Sequence, residues 1–138
     1  MPASGKKIKM ETKTVSALKA CPIETTFKVV GKKWTILILR EMFKGFNQFN
    51  KLSENIEGIN SRMLSIRLKE LCRYGIIQRK IVSEEPIRID YQLTAIGRKL
   101  RPLMTEASKF SLSCLPSEVY RDGRPRTSKQ ITKDIPVY

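Results

Sequence analysis

EGINSRMLSIRLKELCRY, residues 57–74, carries its own start and stop signals for a helix. Asn60 is a good N-cap, because its side-chain oxygen can accept one of the orphan backbone N–H groups of a first turn. Ile59 and Leu64 stand at the two positions of a hydrophobic staple. At the other end Gly75 suits a left-handed C′ position, with Ile76 placed to contact Leu71. At 100° per residue, Leu64, Leu68 and Leu71 share one stripe. The opposite face carries Arg62, Ser65, Ile66, Lys69 and Arg73. A helix with a leucine seam and a Ser/Arg/Lys outer face suits a DNA major groove. An amphipathic surface helix with a solvated basic side fits the same residues, so the neighbouring segments must decide.

Upstream, FNQFNKLSENI predicts a helix over about Gln48–Asn55 that buries Phe49, Leu52 and Ile56. Glu57-Gly58-Ile59-Asn60 is then a four-residue turn, and helix, short Gly-containing turn, basic helix is the helix-turn-helix order. Helix pairs of this kind also occur in bundles that bind nothing. Downstream, Ile76–Val82 is β-branched, and Arg88–Leu93 alternates so that Ile89, Tyr91 and Leu93 face inward and Arg88, Asp90 and Gln92 outward. The polar segment 83–87 reads as the loop between two strands. A hairpin directly after a recognition helix is a wing. Arg79, Lys80 and Arg88 suit it to phosphate or minor-groove contact, while Glu84 and Glu85 at its tip do not.

The remaining segments supply a core and a means of association. Lys33–Phe43, KWTILILREMF, is the central core helix, with Trp34, Leu37, Ile38 and Met42 at helical spacing, widened by Ile36 and Leu39, and Lys44-Gly45 ending it. Cys21-Pro22 opens an earlier helix that runs to Val30, Pro22 suiting a first helical position and Gly31 ending it. Thr94 caps a last helix whose apolar stripe is Ile96, Leu100, Leu103, Ala107 and Phe110, and Pro102 predicts a kink or a break. A small domain leaves little surface to cover that stripe, so a second subunit is expected on it; folding back onto its own domain is the alternative. Residues 1–20 read as a basic N-terminal arm turning helical at Thr14–Ala20, and 21–112 as the winged helix-turn-helix domain. Residues 113–138, with Pro116, Pro125 and Pro136, read as a basic, flexible tail. Gly123-Arg124-Pro125-Arg126 is similar to the core of an AT-hook, but a plain basic tail accounts for it.

The 138 residues hold 27 Lys and Arg against 13 Asp and Glu, a net charge of +14, which is the footprint of a nucleic-acid binder. Acidic membrane surfaces and acidic proteins are the other partners such a charge fits. Histidine is absent, and Cys21, Cys72 and Cys114 form no C-x-x-C pair. With no paired catalytic carboxylates and no Gly-rich phosphate loop either, no enzyme, metal site or cofactor is expected. No apolar run approaches the roughly 20 residues of a membrane span, and MPASGKKIKM has no apolar signal region, so a cytoplasmic protein is expected.

From Cys21 to about Phe110 the sequence resembles the HxlR family of winged helix-turn-helix transcriptional regulators, relatives of MarR-type proteins. The blocks that carry the resemblance are Cys21-Pro22-Ile23-Glu24, Gly31 through Glu41, Phe49-Asn50-Lys51-Leu52, Leu64 through Leu71, Gly75-Ile76-Ile77, Tyr91 through Thr94, and Ile96-Gly97. The resemblance implies a mainly α fold with a small β-hairpin, and a homodimer joined through the first and the C-terminal helices. It implies double-stranded operator DNA as partner, with recognition helices in successive major grooves roughly 34–36 Å apart. It also implies repression or activation of a nearby operon, often in response to electrophiles or oxidants, through a thiol that in several members matches Cys21. Independently, Cys21 stands at a helix N-terminus, where the macrodipole favours a thiolate; Glu24 opposes this and Lys28 supports it. A buried small cap residue is the other reading of Cys21. Cys72 and Cys114 read as structural or incidental. Arg62, Ser65, Ile66 and Lys69 are the candidates for base edges, Ser61 and Arg73 for phosphates, and Lys80 and Arg88 for contacts from the wing. Arg67 projects near the leucine seam, where it braces the wing or reaches a phosphate. The alternative function is a non-specific architectural DNA- or RNA-binding protein, which would account for the charge but not for the capped helix pair and wing.

Overall fold

A computed structural model describes residues 17–136. The chain forms two compact units that part between Lys32 and Lys33, twelve positions after the expected domain start at Cys21. Residues 1–16 of the expected basic arm lie outside the described residues, and residues 17–20 form a turn and bends, not the anticipated helix.

The first unit contains α1, Pro22–Val30, with Cys21 as N-cap and Pro22 in the first turn. The Thr26 hydroxyl donates to Pro22 O at 2.9 Å, and the Gly31 N–H closes the helix on Phe27 O at 2.7 Å.

The second unit is built on α2, Lys33–Phe43, whose Ile38, Leu39 and Met42 are buried. The helix stops as its sequence dictates. Gly45 takes φ +98°; its N–H donates to Met42 O, and Phe46 N–H to Glu41 O, the two bonds of a Schellman motif. Glu41 lies on this apolar helix yet is buried. Its carboxylate accepts from Arg40 Nε at 2.9 Å and from Asn55 Nδ2 at 3.2 Å, and Lys44 Nζ stands 3.4 Å away. It therefore ties α2 to the end of α3, Phe49–Asn55. Helix α3 begins one residue later than expected, because Gln48 is extended and serves as the N-cap.

Helix α4, Ser61–Arg73, follows, then an antiparallel hairpin of β1, Ile77–Glu84, and β2, Ile87–Leu93. Pairing runs from Ile77 opposite Leu93 to Glu84 opposite Ile87, with Val82 skipped as an irregularity. The expected 83–87 loop thus shrinks to Glu85-Pro86. The inward alternation is weaker than predicted: Ile89, Tyr91 and Leu93 are only half-buried, and so are Asp90 and Gln92.

The predicted break at Pro102 appears as two helices, α5 at Ala95–Arg98 and α6 at Arg101–Cys114. Of the predicted stripe, Ile96 and Phe110 are largely exposed, and Leu100 and Leu103 half-buried; Met104 and Leu112 are the buried residues of α6. The expected flexible tail is instead folded as far as it is described. Helices α7, Pro116–Val119, and α8, Ser128–Asp134, pack back on α6. A capping box between Thr127 and Gln130 starts α8. The Tyr120 hydroxyl donates to Asp134 Oδ2 at 2.8 Å. Arg126 Nη2 donates to both oxygens of Asp122, and the guanidinium lies over the Tyr120 ring, 4.2 Å from its centroid. The Gly-Arg-Pro-Arg segment is therefore tied into this small fold. Among the described residues, no helix is long and apolar enough to cross a membrane.

Candidate nucleic-acid interface

Helix α4 is fixed from three sides. At its start, Asn60 Oδ1 accepts the Met63 N–H at 2.8 Å, after a turn in which Gly58 takes φ +84°. Along its length Leu64, Leu68 and Leu71 are buried. At its end Gly75 takes φ +71°; its N–H donates to Cys72 O and that of Ile76 to Leu71 O, both at 3.0 Å. Ile76 and Ile77 are buried directly afterwards and anchor β1.

What this leaves outside is the basic face. Ser61, Arg62, Lys69 and Arg73 are exposed, Ile66 is just exposed and Ser65 half-buried. Arg62, Ile66, Lys69 and Arg73 follow one another at spacings of four, three and four, so they share one face of the helix. Among the described residues no carboxylate pairs with Arg62, Lys69 or Arg73. The helix contains one acid, Glu70, and Arg67 holds it: Arg67 Nη1 lies 3.0 Å from both carboxylate oxygens. Arg67 is half-buried and paired with Glu70 within its own helix, so it does not stand free on the outward face.

Main-chain bonds tie the wing to its surroundings. Tyr91 N–H donates to Asn47 O at 2.8 Å, pinning β2 to the α2–α3 connection, and Thr94 N–H donates to Ile76 O at 3.0 Å. The Thr94 hydroxyl donates to Gly75 O and accepts from Gly97 N–H, so it does more than the expected helix cap. Arg79 and Lys80 are exposed on β1, with Asp90 opposite Lys80 in register. Arg88 Nε stands 3.6 Å from Asp90 Oδ1, so the wing's positive charge is partly offset by its own strand. The tip is acidic and apolar: Glu84, Glu85 and Ile87 are all exposed.

The three thiols sit in different surroundings. Cys21, at the N-cap of α1, is exposed and makes no side-chain capping bond, so it is not a buried cap residue. Cys114, the last residue of α6, is also exposed. Cys72 is half-buried, and burial pushes its thiol above the usual range, the Arg79 charge pulling part of the way back. The thiolate is the nucleophile, so a raised pKa leaves less of it at any given pH. Partial alkylation with iodoacetamide followed by mass spectrometry is expected to mark Cys21 and Cys114 first. Cys72 should react last and gain rate up to a higher pH than a free thiol; Cys72 reacting first would contradict this.

A family model described as HxlR-like helix-turn-helix matches residues 29–118. The HTH-type transcriptional regulator sll1512 of Synechocystis is 37% identical over 98 residues, 71% of this chain and 73% of that protein. The HTH-type transcriptional regulator YodB of Bacillus subtilis is 36% identical over 92 residues, 66% of this chain and 82% of its own. In structure, the reduced form of YodB superposes with a TM-score of 0.62 at 30% identity, covering 76% of this chain and 99% of that one. The redox regulator HypR in its reduced form gives 0.62 at 32% identity, covering 66% and 90%. The fold is accordingly that of MarR-like winged helix-turn-helix proteins. The chain belongs to the HxlR-like helix-turn-helix family and is a transcriptional regulator, not an enzyme.

Proposed function

We propose that the protein acts in the cytoplasm as a homodimer that binds a specific double-stranded operator. It presents α4 to the major groove and the shaft of the wing to the adjacent backbone. The observation that carries this reading is the face of Arg62, Ile66, Lys69 and Arg73, basic, without an acidic partner among the described residues and held outward by a buried leucine seam. Arg62, Ser65, Ile66 and Lys69 read base edges, and Ser61 and Arg73 hold phosphates. Lys80 and Arg88 add phosphate contacts from the wing, Arg88 after release from Asp90. Dimerisation runs through the first helix and the C-terminal helices, as the family resemblance implies. The large apolar side chains left in water on them agree with this: Ile23 and Phe27 are 70% and 54% exposed, Ile96 and Phe110 60% and 59%.

Footprinting on the promoter upstream of the protein's own gene, with random duplex in excess, tests the reading. A protected stretch is expected to survive the competitor; its loss would favour the non-specific architectural alternative, for which the +14 charge alone speaks. Arg62→Ala should cost about 1–3 kcal/mol of operator affinity and relax preference at one base pair. An equal loss on every sequence would reduce Arg62 to a phosphate contact.

Thiol control is the finer part of the proposal. YodB is known in reduced and diamide-treated forms and HypR in reduced and oxidised forms, and Cys21 is exposed here. Diamide is expected to change the footprint of the native protein and to leave that of Cys21→Ser unchanged. A footprint that diamide does not alter in the native protein would overturn this part.

A further inference from the structure

We propose that the cleft at the root of the wing binds a small hydrophilic organic anion, one carrying a carboxylate or phosphate group. The cleft has a volume of about 520 Å³, within the range of roughly 300–1,000 Å³ of small-molecule sites. Its walls come from three parts of one unit: the end of α2, the base of the hairpin, and the start of the C-terminal helices.

The lining is chemically one-sided. Among the described residues it holds two guanidinium groups, Arg98 and Arg101, with the amides of Asn47, Gln78 and Gln92, and no carboxylate. Arg40, Arg67, Arg88 and Arg126 each have a carboxylate within reach. Among the described residues, Arg98 and Arg101 have none. Arg98 spends one N–H on Leu93 O at 3.0 Å, and a guanidinium has five. Arg101 lies over the Phe43 ring, 5.4 Å from its centroid, a contact that orients the group without neutralising it. A planar fork of this kind matches a carboxylate or phosphate bidentately. Gln78 and Gln92 meet across the hairpin at a long 3.4 Å, Nε2 to Oε1, so their remaining amide groups are available to hydroxyls on the ligand body. Polar side chains make up most of the lining, which selects a hydroxylated acid or sugar-phosphate-like molecule over a fatty one. A ligand held by Arg98 or Arg101 on one side and Gln78 or Gln92 on the other bridges the wing to the C-terminal helices. Any regulatory consequence rests on the operator-binding reading; the binding itself does not.

The test is an NMR titration of the free full-length protein with citrate and with glycerol 3-phosphate, at constant ionic strength, with glycerol as the uncharged control. Saturable shifts are expected in the side-chain amides of Gln78 and Gln92 and the Nε–H signals of Arg98 and Arg101, for one or both anions and not for glycerol. Arg101→Gln, which leaves the Arg98 hydrogen bond intact, should weaken binding at least tenfold in a protein whose spectrum is otherwise unchanged. The Arg98→Gln/Arg101→Gln double variant should abolish it. Equal affinity in the variants would overturn the proposal. So would the largest shifts falling at Arg62, Lys69 and Arg73, the mark of general attraction to a basic protein, or no saturable shift with either anion. Because no DNA is present, failure of the operator reading leaves this result untouched.

Discussion

Gly97→Ala is expected to cost roughly 3 kcal/mol of stability, at the upper end of ordinary overpacking. A Cβ at position 97 would stand 2.1 Å from Ile76 O, 3.1 Å from Ile76 C and 3.2 Å from Leu93 Cδ2. The first of these is backbone, and it cannot step aside freely. Ile76 O accepts the Thr94 N–H, and Ile76 N–H is committed to Leu71 O. Relief must therefore come from moving α5 off the start of β1, or the end of α4 with it. Urea denaturation of the variant beside Gly45→Ala separates the causes. Gly45 has a left-handed φ but open space around it, so its replacement should lose only about 1 kcal/mol, through backbone conformation alone. A Gly97→Ala loss no larger than that would show that α5 slides on β1 without resistance. On the proposed reading, operator affinity should fall with stability, because the displaced carbonyl lies two residues past the Tyr74 cap of α4.

Glu41→Ala is expected to remove about 2–3 kcal/mol. Breaking a wholly buried ion pair costs about 3–5 kcal/mol, and a buried donor left unsatisfied about 1–3. Here Arg40 and Lys44 are partly exposed and can turn to water, so the lower figure governs. The strictly lost element is the Asn55 amide bond, which joins the two helices that support α4. Glu41→Gln keeps an acceptor for Asn55 and should recover at least half of the loss in the same denaturation experiment. A glutamine variant as unstable as the alanine one would assign the effect to charge instead of to the α2–α3 bond.

Helix α4 was legible in the sequence because everything that defines it is local. Asn60, the leucine repeat and Gly75 lie within sixteen residues, and each acts on its immediate neighbours. Arg67 shows the same rule missed: Glu70 stands three positions on, at the spacing where side chains meet on a helix, and takes the arginine inward. Thr127 and Gln130 are likewise a local signature, hidden by a composition of prolines and charges that suggested disorder. Glu41 was not legible, since its partner Asn55 is fourteen residues away and only the packing of α2 on α3 brings them together. The length of the wing escaped for a different reason. Main-chain pairing continues to Glu84 and Ile87 without needing the apolar alternation by which the strands were recognised. The cleft has no linear signature at all, its lining being gathered from positions between Met42 and Arg101.

Thr94 gives the end of α4 a clamp where a swivel would otherwise sit. One hydroxyl and one amide of a single residue hold Gly75 O, Ile76 O and Gly97 N–H together, so the end of α4 and the start of α5 are tied directly to each other. In a dimer reading two half-sites, that stiffness becomes a phase requirement on the DNA. One extra base pair between half-sites turns one of them by about a tenth of a helical turn relative to the other. On the proposed dimer, joined in part through the helices that follow α5, this clamp limits how far α4 can turn to follow, so the protein should tolerate base changes within its operator better than any change in the operator's spacing.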